Sequence, residues 1–289
     1  MSHRLEISAP RIHMLPMSLA LVAAVAALVI AWLVGEPFLI AWRRKRLRAQ
    51  PFPTQWREIL ERRVPYVRRL PGDLRRQLEQ HIQVFVAEKS FVGCAGFEIT
   101  DEARVTIAAQ ACLLILNRRS EYFTGLREIL VYPGSFIVER IEHVGGPMLQ
   151  AETRQIRSGE SWSHGQIVLS WEDTLEGAAI EDDGRNVVIH EFAHQLDQQK
   201  GHANGAPWLG RRDRYPRWSQ VLSAEFARLH QQAMMGEPSL FSSYGTTSPA
   251  EFFAVVSEVF FEQPREMAAM HPALYGELRT LYRVDPASW

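Results

Sequence analysis

Two histidines four residues apart enclose a glutamate in the stretch Val187-Val188-Ile189-His190-Glu191-Phe192-Ala193-His194-Gln195-Leu196-Asp197. On a helix, positions four apart share a face, so the His190 and His194 imidazoles project side by side. Two neutral imidazoles set this way are ligands for a zinc ion, one per chain. Glu191, one step round, is placed to take a proton from an activated water. The implied chemistry is hydrolysis.

A catalytic zinc takes three protein ligands and keeps a position open, so a third His, Asp or Glu is expected from another element. Glu251 is the choice. It opens a helical stretch after a loop, with Phe252 and Phe253 behind it to lock that stretch into the core. Glu258 lies seven residues on, on roughly the same helical face. It is either the ligand instead or the acceptor for the free N–H of a ligand histidine. Asp197 follows His194 by three and either orients an imidazole or is a surface acid at the helix end. Tyr244, in Ser242-Ser243-Tyr244-Gly245-Thr246, can donate a hydrogen bond to a developing oxyanion; by composition alone it is an ordinary loop tyrosine. His202 is set aside as a further ligand, because the glycine turn such extended motifs need does not separate it from His194.

These residues need a scaffold. Asn186 is an expected cap for the motif helix and Pro249 an expected first-turn residue for the Glu251 helix. Helical periods also run over 74–89, 217–232 and 274–282. A nearly all-apolar helix runs through 104–116, capped by Asp101 and central to the core. Strands are expected after the turn at Gly93, near 97–99, and at 129–132, 136–138 and 166–171. Turns are expected at Gly145-Gly146-Pro147 and Ser163-His164-Gly165. The fold class is α+β, mostly helical with a small mixed sheet.

The N-terminus is different in kind. Residues 14–34 contain no charged side chain and are long enough to span a bilayer as a helix. The cluster Arg43-Arg44-Lys45-Arg46 follows, with Trp32 and Trp42 near the same end. By the positive-inside rule this end is cytoplasmic. The expected order is a short tail (1–13), a transmembrane anchor (14–34), a basic juxtamembrane linker (35–54) and a catalytic domain (55–289). The address is the inner, cytoplasmic membrane, single-pass, with the catalytic domain in the cytoplasm. A cleaved signal peptide fits less well, since no small-x-small site follows the apolar run.

The net charge is −1 at pH 7. Seven of the Lys and Arg residues lie before position 50, so the remainder is acidic on balance. That argues against nucleic acid as a partner, which needs a basic face. The two cysteines, Cys94 and Cys112, form no C-x-x-C pair, so neither a cysteine-rich structural zinc site nor a disulfide framework is indicated.

Several stretches together resemble the Mlc titration factor A family of zinc-dependent peptidases. They are Val105 to Cys112, Val131-Tyr132-Pro133, Gly159-Glu160-Ser161-Trp162, Val168 to Trp171, Asn186 to Asp197, Ala203-Asn204-Gly205 and Ala250 to Ala254. The C-terminal part is also similar to the catalytic domain of anthrax lethal factor, in its H-E-F-x-H-x-x-D text and in Ser243-Tyr244-Gly245 standing before Ala250-Glu251-Phe252-Phe253. The resemblance implies a zincin, gluzincin-like site with His190, His194 and Glu251 as ligands. It implies Glu191 as general base and Tyr244 as transition-state donor. It further implies aminopeptidase-like activity on a peptide or protein substrate, and binding of a glucose-responsive transcriptional repressor. The alternative function is therefore a regulatory protein that sequesters such a repressor, with incidental peptidase activity.

Overall fold

The computed structural model describes residues 14–118, 122–143, 150–157, 159–162 and 165–289. The expected turn at 145–147, and Ser163 and His164, lie outside the described residues. The chain divides into two compact units, Met1–Gln50 and Pro51–Trp289.

The first unit is one helix, α1 (Met14–Arg48), of 35 residues. At 1.5 Å per residue it is about 52 Å long. It does not stop with the apolar run at Val34. It continues through Pro37 and carries Arg43 to Arg46 on its last turns, so most of the stretch expected as a linker is helical. Leu, Ile, Ala, Trp, Arg and Lys from 39 to 48 are adequate helix formers, and one proline does not offset them. Leu21, Val25, Leu28, Trp32, Phe38 and Trp42 are all exposed. The stretch Leu21–Arg48 is long and apolar enough to cross a membrane, by length and composition.

The second unit begins with α2 (Thr54–Arg63) and α3 (Gly72–Glu88). Then come β1 (Ser90–Gly93) and α4 (Asp101–Leu113). Every residue of α4 from Val105 to Leu113 is buried, as its apolar text requires. Its cap is Thr100 rather than Asp101: the Thr100 hydroxyl accepts the Ala103 N–H at 3.2 Å, and Asp101 is the first helical residue. An acid there still suits the positive end of the helix. The strand expected near 97–99 is instead β1, before the turn. There the backbone pairs in parallel with β2 (Glu128–Tyr132), Phe91 opposite Ile129. Gly93 permits the reversal that follows, since a Cβ on it would lie 1.8 Å from the Phe97 carbonyl oxygen.

The sheet runs β1-β2-β6-β5, with β6 at Gln166–Ser170 and β5 at Gly159–Trp162. Its first three strands are parallel and β5 is antiparallel at the edge, so the sheet is mixed as expected. A separate hairpin pairs β3 (Phe136–His143) with β4 (Gln150–Arg157). Trp171, expected as a strand residue, opens α5 (Trp171–Ala179), because the Ser170 hydroxyl accepts the Asp173 N–H and caps a helix there.

The motif helix is α6 (Val187–Asp197). It is followed by α7 (Tyr215–Met235), α8 (Pro249–Glu262), α9 (Pro264–Met270) and α10 (Pro272–Tyr282). Helix α6 packs against α8, α4, α5 and β5. Its Phe192 turns inward against Phe123 and Phe85, at ring-centroid distances of 4.8 and 5.6 Å. Complete burial of one such ring contributes about 1.5–3 kcal/mol, enough to fix which way the helix faces.

Candidate metal centre

Helix α6 starts where the Asn186 side chain accepts the Ile189 N–H at 3.0 Å, the expected cap. With Val188, Ile189, Phe192, Ala193 and Leu196 buried, His190 and His194 are left on the face toward α8. Helix α8 is capped in turn by Ser248, whose hydroxyl accepts the Glu251 N–H at 3.2 Å, with Pro249 in the first turn. Behind Glu251, Phe252 packs against Phe226 and Phe241, and Phe253 against Trp218. The carboxylate of Glu251 is thereby directed at the two imidazoles.

His190 Nε2 lies 2.9 Å from Glu251 Oε2, His194 Nε2 lies 3.3 Å from the same oxygen, and the two Nε2 atoms are 3.2 Å apart. Donors arranged tetrahedrally around zinc at bonds of roughly 2.0–2.1 Å stand about 3.3–3.4 Å from one another. The triangle therefore fits a zinc ion with only slight expansion. Two nitrogens and one carboxylate oxygen are also the donor set of open, catalytic sites. His190, His194 and Glu251 form the group able to hold a metal ion among the described residues.

The alternatives for Glu258 separate clearly in space. Its Oε1 is 2.7 Å from His190 Nδ1, on the side of the ring away from the triangle, and its Oε2 accepts the Asn186 N–H at 2.5 Å. It braces His190 and the helix cap together. Asp197 does not orient an imidazole through any hydrogen bond to one. Its Oδ2 accepts the N–H groups of Asn204 and Gly205 at 2.8 and 2.7 Å. Gly205 in turn accepts the Trp218 indole N–H at 2.9 Å, and its φ of +77° brings it against Pro249. The loop after α6 is thus pinned to the start of the Glu251 helix. Local sequence gave no signal for that role beyond the Ala203-Asn204-Gly205 text.

Electrostatics follow the geometry. Burial works against a charged His190, but the carboxylates of Glu258, Glu251 and Glu191 overcome it and hold the imidazole well above its ordinary pKa. Burial pushes Glu251 upward, yet hydrogen bonding and charge from His190 and His194 prevail and hold it well below the carboxylate range. Burial raises Asp197 despite its backbone N–H bonds to Gly205 and Asn204. Glu191 is only 4% exposed. Tyr244 lies on a short 3-10 turn, Ser243–Thr246, with its ring 5.9 Å from the His190 ring, and is 43% exposed. The structure therefore gathers His190, His194 and Glu251 around one point, with the Tyr244 ring beside His190 and the Glu191 charge acting on His190. Cys94 and Cys112 take no part, and Cys112 is buried within α4.

One element was missed as such in the sequence. The edge strand β5 packs against α6, and its outer edge carries no strand among the described residues.

Residues 39–283 match the family described as glucose-regulated metallo-peptidase M90. An uncharacterized protein of Synechocystis sp. is 41% identical over 268 residues, covering 92% of this chain and 97% of its own. Mlc titration factor A of Salmonella agona is 34% identical over 229 residues, covering 78% of this chain and 84% of its own. That of Klebsiella pneumoniae is 34% identical over 236 residues, covering 80% and 86%. The Synechocystis match covers more of the chain than the unit Pro51–Trp289 provides, so it extends into the N-terminal unit.

Proposed function

Since the chain belongs to the glucose-regulated M90 metallopeptidase family, we propose that it is a zinc-dependent, aminopeptidase-like peptidase tethered to the inner membrane with its catalytic unit in the cytoplasm. The single observation that carries this reading is the triangle of His190, His194 and Glu251 with a buried glutamate, Glu191, beside it.

Zinc held by these three residues would supply Lewis acidity toward the scissile carbonyl and toward the attacking water. Glu191 takes the proton of that water and passes it to the leaving nitrogen. Its burial keeps bulk water from competing for the proton. Tyr244 donates its phenolic hydrogen to the oxygen on which charge develops. Glu258 keeps the His190 Nδ1 occupied, so that the Nε2 lone pair would be the one available to hold a zinc ion. An extended substrate pairs with the open edge of β5, which runs beside α6, and is thereby fixed along the site.

The membrane part of the proposal rests on α1, with its apolar surface and the basic cluster Arg43 to Arg46 at its end. The positive-inside rule then sets the orientation.

A second reading is favoured by the name of the relatives, which describes a factor that titrates Mlc. In that reading the chain binds a transcriptional regulator and peptide cleavage is secondary. Capture of the regulator by a Glu191→Gln chain, with an unchanged cellular phenotype, would select it; loss of the phenotype would select catalysis.

The direct test is metal content followed by cleavage. The full chain, solubilised in detergent, is reconstituted with zinc and given peptides with free or acetylated N-termini. One zinc per chain and preferential cleavage of free N-termini are expected. Absence of stoichiometric zinc overturns the enzyme reading, and equal cleavage of both peptide sets overturns the aminopeptidase part.

A further inference from the structure

Ile189 on α6 forms part of the wall of a cavity of about 330 Å³. The rest of that wall comes from the end of α8, the turn at Tyr66, the acidic loop after α5 and the C-terminal Trp289. It contains two buried oxygens without a hydrogen-bond partner, Tyr66 Oη and Glu262 Oε2. Glu262 is only 8% exposed. A buried oxygen left without a hydrogen-bond partner is costly, so such an atom is not expected to stay unserved when a donor can reach it.

We propose that this cavity binds an organic cation, a guanidinium or primary ammonium group on a short chain. Both orphan atoms accept hydrogen bonds, and such a head group brings several N–H donors at once. The charge balance points the same way. Glu181, Asp182, Glu262 and Glu266 line the cavity against Arg69 and Arg265. Arg69 is already neutralised by Glu181, at 2.5 Å. Phe261 and Trp289 supply aromatic faces of the kind that cations favour. With the Arg69–Glu181 pair set aside, Asp182 and Glu266 outnumber Arg265, so the cavity favours a cation over an anion even while Glu262 is protonated.

Glu262 supports the assignment by its state. Burial pushes its carboxyl up to about 9, with the Asn186 side chain opposing and Asp183 and Glu258 adding to the rise. A bound cation supplies the counter-charge that lets this carboxyl give up its proton. The site is distinct from the metal triangle and does not depend on the peptidase reading. It touches the same helix, because Ile189 precedes His190.

The test is calorimetric titration of the full chain in detergent with agmatine, and separately with succinate. Saturable one-site binding of agmatine is expected. Glu262→Gln weakens it at least tenfold, and Tyr66→Phe, which removes only the hydroxyl, weakens it threefold or more. Agmatine affinity unchanged in both variants overturns the proposal, as does no saturable binding. Saturable binding of succinate that these substitutions weaken overturns it in favour of an anion site. Should Glu262→Gln fail to fold, Tyr66→Phe and Trp289→Ala decide the matter by the same criterion.

Discussion

Glu258 ties His190 to Asn186. One carboxylate oxygen meets His190 Nδ1 at 2.7 Å and the other accepts the Asn186 N–H at 2.5 Å. His190 and the cap of the helix that carries it thus share one anchor on α8. Replacing that anchor should act on metal affinity first. Glu258→Gln keeps the shape but gives up the charge-assisted bond, and zinc affinity is predicted to fall about 10–100-fold. Competition with a chromogenic chelator measures it. An unchanged affinity would show that Glu258 braces only the fold.

Tyr244 separates stability from catalysis. Its ring lies near His190 but is 43% exposed. Tyr244→Phe should leave the free energy of unfolding within about 0.5 kcal/mol of the parent. It should lower kcat by about 10²–10³ with little change in KM, as expected for loss of an oxyanion donor. Steady-state kinetics on one peptide would decide this, and a raised KM at constant kcat would point to substrate binding instead.

Gly205 joins two elements that sequence separates. Its positive φ, and the 2.4 Å between an added Cβ and the Pro249 carbonyl oxygen, leave no room for a side chain. Gly205→Ala should therefore push away the start of α8 and with it Glu251. Destabilisation of more than about 1 kcal/mol is expected. Weaker zinc binding should accompany it. Chemical unfolding of the metal-free and zinc-loaded forms reads both effects, and a variant as stable as the parent would remove this loop from the account.

Glu262 makes a prediction for pH. Its carboxyl lies at about 9 in the folded chain, against an ordinary value of 4.5. The folded state then holds a proton that the unfolded state has released. The stability contributed by this group is complete below about pH 4.5 and is lost progressively as pH rises toward 9. Glu262→Gln removes the dependence. The difference in melting temperature between variant and parent should therefore widen in favour of the variant from pH 5 to pH 9. A constant difference across that range would contradict it.

The parts of this molecule legible in the sequence are those whose signals are local. Asn186 caps α6 and Pro249 opens α8 because caps and first-turn prolines act within one turn of backbone. The burial of α4 follows from its own apolar text. What depended on distant partners was not legible. Nothing near Glu251 and Glu258 says which carboxylate faces Nε2 and which faces Nδ1, since that is decided by how α8 lies across α6. Asp197 had two local readings, and its bonds to Asn204 and Gly205 fit neither. Strand β1 falls before the turn at Gly93 because parallel pairing with β2 selects it. Strand β5 is four residues of mixed polarity that pairing with β6 defines. Helix α1 outruns its apolar text because basic residues near a helix C-terminus are favourable.

The claim on which the rest depends is that Glu191 moves the proton while His190, His194 and Glu251 hold the ion. Glu191→Gln changes one oxygen to nitrogen and leaves the three ligands in place. Zinc content and the rate of peptide cleavage, measured on the same preparation of this variant, test it most directly. The account predicts one zinc per chain, as in the parent, and cleavage reduced by at least about 10²-fold. A variant that binds zinc and cleaves as fast as the parent would contradict it.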